Sequence, residues 1–308
     1  MTTTRFRGVI PPVITPFTAA GDVDHAALAG VVEHLVRGGV HGVFALGSTG
    51  EVAYLDDAQR EAVVSTVVAT VAGRVPVLVG AIDTTSARVA HAVRRAEELG
   101  ADAVVATAPL YAINDLAEIE RHFRAIAAAT RLPLFAYDIP VRVRTKLPAD
   151  LLVRLGADGV LAGVKDSSGD DVGFRRLVAA NAAAGHPLQV LTGHEVVVDG
   201  MLLLGADGVV PGLGNVDPDG YARLWEAAQA GDWGRAREEQ DRLAALFEIV
   251  FQAQGRSGDA AGVGAFKTAM RHLGLIPAAT MAFPVEELDD ATAGRIAAIV
   301  DATLPAHV

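Results

Sequence analysis

The stretch Gly159-Val-Leu-Ala-Gly-Val-Lys165-Asp-Ser-Ser-Gly169 decides how this chain is read. Residues 160–164 form a short apolar run that reads as a buried strand, closed by a Ser-Ser-Gly turn. The strand delivers a lysine at its C-terminal end. The chain holds three lysines, Lys146, Lys165 and Lys267, and its other basic side chains are arginines. An amine at the end of an apolar strand can have its pKa lowered by desolvation and can then attack a carbonyl. The plainer alternative is a strand-end lysine that reaches water.

Working outward, similar runs recur on both sides. They cover residues 9–14, 40–46, 75–82, 103–106 and 132–137 before this strand, and 188–191 and 206–210 after it. Segments of helical period separate them. Asp22 or Asp24 can start the first, whose apolar face is Leu28, Val31, Val32 and Leu35. Asp56 with Gln59 reads as a capping box for a helix with inner face Val63, Val64, Val67 and Val71. Thr85 or Ser86 can start the next, with Gly100 just past its end. Strand and helix alternate eight times at a spacing of about 30 residues, the pattern of a (β/α)8 TIM barrel. A doubly wound open sheet competes, but eight consecutive units favour closure.

After Asn215-Val-Asp-Pro-Asp-Gly220 the strand signal stops. Residues 221–230, 233–254, 263–273 and 285–303 read as helices. The expected organisation is a barrel over 1–220 and a C-terminal helical appendage over 221–308.

Composition narrows the business of the chain. Hydrophobic residues make up 51% of its 308 residues, enough for a large core, yet no apolar run is long enough to span a bilayer. Met1-Thr-Thr-Thr-Arg-Phe-Arg7 lacks the apolar stretch of a signal peptide, so a cytoplasmic protein is expected. With no cysteine, thiolate chemistry, disulfides and cysteine-ligated metals are excluded. A net charge of −11 argues against nucleic acid or an anionic membrane as partner. Small molecules remain.

The catalytic groups of a barrel lie just after its strands. Gly47-Ser-Thr-Gly-Glu51 follows the second strand, and its hydroxyls and backbone N–H groups can hold a carboxylate. Ala108-Pro-Leu-Tyr111 follows the fourth, and Tyr137-Asp-Ile-Pro140 with Arg142, Arg144 and Lys146 follows the fifth. After the sixth stands Lys165, with Asp166 turned to the other face by strand alternation. Thr192-Gly-His-Glu195 follows the seventh and Pro211-Gly-Leu-Gly214 the eighth. Every candidate falls on one rim. No dinucleotide fingerprint, Walker loop, nucleophile elbow or HExxH metal motif is present. His34, His41 and His91 read as structural, Lys267 as solvated or packed on an amphipathic helix, and the 142–146 run as a solvated loop or an anion site.

With Gly47-Ser-Thr-Gly-Glu51, Tyr137-Asp-Ile-Pro140 and Gly163-Val-Lys-Asp166 in this order, the chain resembles the dihydrodipicolinate synthase/N-acetylneuraminate lyase family. The likeness runs from Pro11-Pro-Val-Ile-Thr-Pro16 through Gly205-Ala-Asp-Gly-Val-Val210 to Phe266-Lys-Thr-Ala-Met270. It implies a lyase or synthase that needs neither cofactor nor metal. Lys165 would form a Schiff base with pyruvate or another 2-oxo acid, and Tyr137 would move the protons. Ser48 would be the relay hydroxyl, and Tyr111 the tyrosine lent across a tight dimer interface within a homotetramer. Ser48 and Thr49 would hold the substrate carboxylate, with Gly193 and Val210 lining the pocket.

Arg142 falls where the synthases carry an arginine for an aldehyde's carboxylate, which makes 4-hydroxy-tetrahydrodipicolinate synthase the first expectation. An aldolase or dehydratase for a 2-keto-3-deoxy sugar acid is the second, with His194 and Glu195 meeting hydroxyls and Arg144 as an alternative to Arg142. The chain departs from the family at 141–146, at Leu110 and at Pro211. Asp57 and Arg60 replace histidines of a lysine-inhibition site, so no feedback by lysine is expected. A non-catalytic barrel binding a 2-oxo acid is the alternative of another class; it would have no use for the full relay.

Overall fold

The computed structural model describes residues 6–304. The reading of Met1–Arg5, and the last four residues of the expected appendage, lie outside the described residues. Eight parallel strands form one sheet: β1 (Gly8–Val9), β2 (Val43–Ala45), β3 (Val77–Gly80), β4 (Ala103–Thr107), β5 (Leu134–Asp138), β6 (Gly163–Asp166), β7 (Gln189–Thr192) and β8 (Gly208–Val209). Their order is β1-β8-β7-β6-β5-β4-β3-β2. Backbone bonds from His41 N to Val9 O, Phe44 N to Pro11 O and Val13 N to Phe44 O join the two ends, at 2.8 to 2.9 Å. The sheet is therefore a (β/α)8 TIM barrel with helices between its strands and further helices at its C-terminus.

The strands are short, and each is buried on both faces, so each reads as a continuous apolar run rather than an alternating one. The helices begin where their caps say. Asp24 accepts from Ala27 N and starts His25–Arg37, which buries Leu28, Val31, Val32 and Leu35. Asp56 and Gln59 form a complete capping box on Asp57–Val71. Thr85 caps Ser86–Glu98, and Gly100 ends it at φ +90°. Each such cap is worth about 1 kcal/mol.

The strand edges differ from the sequence reading. The run at 160–164 enters the ladder only at Gly163, and Lys165 is part of β6 rather than a residue after it. Val160 and Leu161 instead bond to Leu155 O, closing the helix Ala149–Ala157 around Gly159 at φ +72°. Apolar character marks burial, whereas a ladder also needs a neighbour in register. In the appendage, the helix expected over 233–254 ends at Phe247 and tightens to a 3-10 turn over Glu248–Gln252. The next helix starts earlier than expected, at Gly258, because Ser257 caps it, and the last spans Asp290–Thr303 behind Asp289. Pro218–Gln229 straddles residue 220 and packs on β1. We propose that the appendage begins after this helix rather than at 221.

Candidate active site

Cross-strand register brings the principal side chains together. In the β5–β6 ladder Tyr137 lies opposite Lys165, and Asp138 opposite Asp166. Successive residues face opposite sides of the sheet, so the first pair shares one face and the second pair the other. Lys165 is 5% exposed, and its Nζ donates to the Tyr137 hydroxyl at 3.1 Å. The amine also stands 4.2 Å from the Tyr137 ring centre and 5.1 Å from that of Phe44. The Ser48 and Ser167 hydroxyls lie close enough to the same phenol to favour its ionised form. Burial pushes the Tyr137 phenol up, but the Lys165 charge and these hydroxyls outweigh it and leave the pKa below its ordinary value.

The Gly47–Glu51 segment is a tight turn over the mouth of β2. Gly50 N and Val52 N bond to Gly47 O, Glu51 N bonds to Ser48 O, and Thr15 Oγ1 donates to Gly50 O at 2.8 Å. Ser48 and Thr49 are left half-buried on this turn. Glu51 follows in the left-handed region at φ +58°, a conformation disfavoured for a side-chain-bearing residue and held here from outside. Its carboxylate is ion-paired with Lys267 and accepts from Ala282 N at 2.9 Å. Lys267 in turn donates to Thr280 O at 2.8 Å and lies 4.4 Å from the Phe17 ring centre. Lys267 is thus fully buried, not solvated, because its amine has three partners inside the protein. The appendage holds the second-strand turn through this pair.

Gly193 and Val210 come directly after β7 and β8, on the same rim as Lys165. Gly193 N bonds to Asp166 O at 2.7 Å, and a Cβ there would sit 2.0 Å from Ser167 Oγ, so only glycine admits that hydroxyl. Val210 N bonds to Thr192 O at 2.8 Å. Next along, the partly buried Glu195 carboxylate accepts from Leu213 N at 2.5 Å and feels the Lys165 charge. Burial pushes it up to about 7. His194 faces Asp171 at 3.5 Å. Asn215, which no motif flagged, ties Ile14 N, Pro12 O and Gly212 O together beneath the first and last loops.

Three expected residues sit apart from the buried pair. Arg142 lies in the short helix Pro140–Val143 and is bidentate to Asp259 of the appendage, with a 3.2 Å Nη1 contact. The Tyr54 hydroxyl donates to the same carboxylate at 2.7 Å. The Arg142 charge remains within electrostatic reach of Tyr137. Arg144 is exposed, at φ +58°. Tyr111 stands fully exposed at φ +69°. Nothing in the sequence could have paired Arg142 with Asp259, which are 117 positions apart. Ser167 was legible, since it falls two residues past Lys165 and on the same face.

A separate cavity of about 320 Å³ lies between the helices Asp57–Val71 and Ser86–Glu98, away from Lys165. Asp57, Arg60, Asp83 and Arg88 line it, and Arg60 and Arg88 are both paired with Asp83. Among the described residues no helix is long and apolar enough to cross a membrane.

The Dihydrodipicolinate synthetase family model matches residues 5–303. A 4-hydroxy-tetrahydrodipicolinate synthase from Phenylobacterium zucineum is 35% identical over 97% of this chain and 98% of its own length. An uncharacterized DapA-like lyase from Halobacterium salinarum is 38% identical over 77% of this chain and 76% of its own. Among solved structures, YagE, a prophage protein of the dihydrodipicolinic acid synthase family from E. coli K12 in complex with pyruvate, superposes with a TM-score of 0.90. It has 28% identity and covers 97% of this chain and 98% of its own. Barrel and sequence agree, and the chain is a lyase that belongs to the dihydrodipicolinate synthetase family.

Proposed function

We propose that the protein joins or cleaves carbon–carbon bonds through a Schiff base between Lys165 and pyruvate or a closely related 2-oxo acid. The observation that carries this reading is the buried amine 3.1 Å from a phenol whose oxygen also meets Ser48 and Ser167. The Lys165 amine adds to the keto carbon, the carbinolamine loses water, and an iminium remains. That iminium takes up the electron pair when C3 loses a proton, and the enamine then attacks an aldehyde carbon. Cleavage runs the same steps backwards. Tyr137 is placed to pass protons in each step, and its lowered pKa suits that work. Ser48 and Thr49, on a turn rich in backbone N–H groups, hold the carboxylate. Tyr111 of a second copy completes the relay in a tight dimer, two of which form a tetramer.

Two second components fit this chemistry. Aspartate semialdehyde, giving 4-hydroxy-tetrahydrodipicolinate, is the first reading, supported by the names of the relatives and by Arg142 beside the pocket. A 2-keto-3-deoxy sugar acid is the second, supported by Asp259, which already matches the Arg142 charge and leaves a hydrogen-bonding pair suited to hydroxyls. Borohydride reduction with pyruvate, read by peptide mass spectrometry, should give an adduct on Lys165. A folded protein with no adduct, or an adduct on Lys146 or Lys267, sinks the mechanism. Turnover of pyruvate plus aspartate semialdehyde against a panel of keto-deoxy acids then separates the two readings.

A further inference from the structure

Behind the Lys165–Tyr137 pair, on the opposite face of the same two strands, stands a group of charges that the reaction does not use. Asp138 and Asp166 are Cα partners at the ends of β5 and β6 and are 0% and 3% exposed. Carboxylates directly opposite each other on adjacent strands repel, and burial removes the water that would screen them. Lys146 lies between them. Its Nζ contacts Asp138 Oδ2 and stands 3.2 Å from Asp166 Oδ2. The other oxygens are satisfied by backbone, Asp138 Oδ1 by Leu147 N at 3.1 Å and Asp166 Oδ1 by Ser168 N at 2.8 Å. Burial pushes the Asp138 carboxyl up to about 6 even with Lys146 beside it. Without Lys146 the two carboxylates could stay together only by taking up a proton or by drawing the strand ends apart.

We propose that Lys146 is a positioning residue for the amine that forms the imine. It bridges Asp138 and Asp166 and thereby fixes β5 against β6 in the register that holds Lys165 Nζ on the Tyr137 hydroxyl. The proposal rests on the Schiff-base reading of Lys165, though the bridge itself does not. It acts through the strands: one residue along each from the bridge are the two reacting side chains. Ser167 N bonds to Asp138 O at 2.9 Å, so the same bridge also steadies the hydroxyl that meets Tyr137.

The test is the rate of borohydride trapping of pyruvate on Lys165. Lys146→Met should trap at least tenfold more slowly at saturating pyruvate, while the pyruvate concentration giving half the maximal rate stays near that of the parent. The carboxylate turn at Ser48 and Thr49 is built from other strands, so a change in position behind β5 and β6 should leave it intact. Lys146→Arg should restore part of the rate. The double variant K146M/D138N should restore most of it, because an amide opposite Asp166 has no charge to separate. Trapping by K146M at the parental rate, or no recovery in a folded double variant, overturns the proposal.

Should K146M fail to fold, K146M/D138N is compared with D138N. Equal rates support the bridge, and a tenfold slower double variant overturns it. A substrate-free readout separates this proposal from the Schiff-base reading. The Tyr137 phenol, titrated by ultraviolet difference against Tyr137→Phe, should ionise at higher pH in K146M as the Lys165 charge moves off. If the parent gives no pyruvate adduct, the mechanism fails, and an unshifted Tyr137 titration then overturns the bridge on its own terms.

Discussion

At the scale of single residues, position on the sheet separates the groups proposed to react from those that hold. Tyr137 meets an amine and two hydroxyls, and its exchange for phenylalanine keeps the ring that packs against Phe44 but removes every proton route through that oxygen. Tyr137→Phe should lower kcat by about 10²–10⁴-fold, the usual range for a general acid–base group, with the fold kept by circular dichroism. A loss of less than threefold would take Tyr137 out of the chemistry. Glu195 supplies a pH test. Its folded pKa, about 7, lies above the ordinary 4.5, so the folded protein holds this proton more tightly than the unfolded chain does. The carboxyl therefore costs no stability at pH 4, costs more as pH rises from 4.5 to 7, and levels off above that. Glu195→Gln keeps an acceptor for Leu213 N and removes the charge. It should raise the melting temperature at pH 8, by on the order of 1–3 kcal/mol of stability, and coincide with the parent at pH 4. Thermal scans at the two pH values check it, and an equal shift at both would refute the burial argument.

At the scale of elements, the C-terminal helix Gly258–His272 reaches back to the second-strand turn through Lys267 and Glu51. Glu51 occupies φ +58°, and the residues just before it are the hydroxyls expected to hold the carboxylate. Lys267→Met would leave a buried carboxylate without its cation, a change that costs about 3–5 kcal/mol. Beyond that loss, KM for pyruvate should rise more than kcat falls, because the turn is expected to hold the carboxylate and, of its side chains, only Ser48 also meets the Tyr137 phenol. Steady-state kinetics on the folded fraction, with E51Q/K267M as the neutral pair, checks this; a fall in kcat alone would place the effect elsewhere. The same elements show what the sequence could and could not tell. Parallel strands buried on both faces leave apolar runs, so all eight were legible, as were helices that start at Asp24, Asp56 and Thr85. Strand edges were not, because a ladder depends on the neighbour's register. Lys165, Tyr137 and Ser48 could be placed on one rim by counting strands. Glu51–Lys267, Arg142–Asp259 and Lys146 between two aspartates could not, since each joins parts of the chain that only folding brings together.

At the scale of the whole molecule, Tyr111 stands in solvent, whereas the Lys165–Tyr137 pair it is expected to serve is buried. It is fully exposed at φ +69°, in a loop that also exposes Ile113. A bulky residue in the left-handed region carries a strain of about 1–3 kcal/mol, which an exposed loop has no packing to offset. We propose that a second copy of the chain supplies that packing, through a two-fold interface that would place each Tyr111 against the neighbour's rim. Complementation distinguishes this arrangement from one within a single chain. Lys165→Ala keeps Tyr111 but has no amine, and Tyr111→Phe keeps the amine but has no hydroxyl there. Each alone should be inactive or nearly so. If Tyr111 crosses, subunits mixed by mild denaturation and refolding include heterodimers in which one site unites an intact Lys165 with the partner's intact hydroxyl. Random pairing makes half of the dimers mixed, each with one good site of two, so activity should return to about a quarter of the parent. If Tyr111 acts within its own chain, no mixed dimer contains a complete site, and the mixture stays as inactive as its parts.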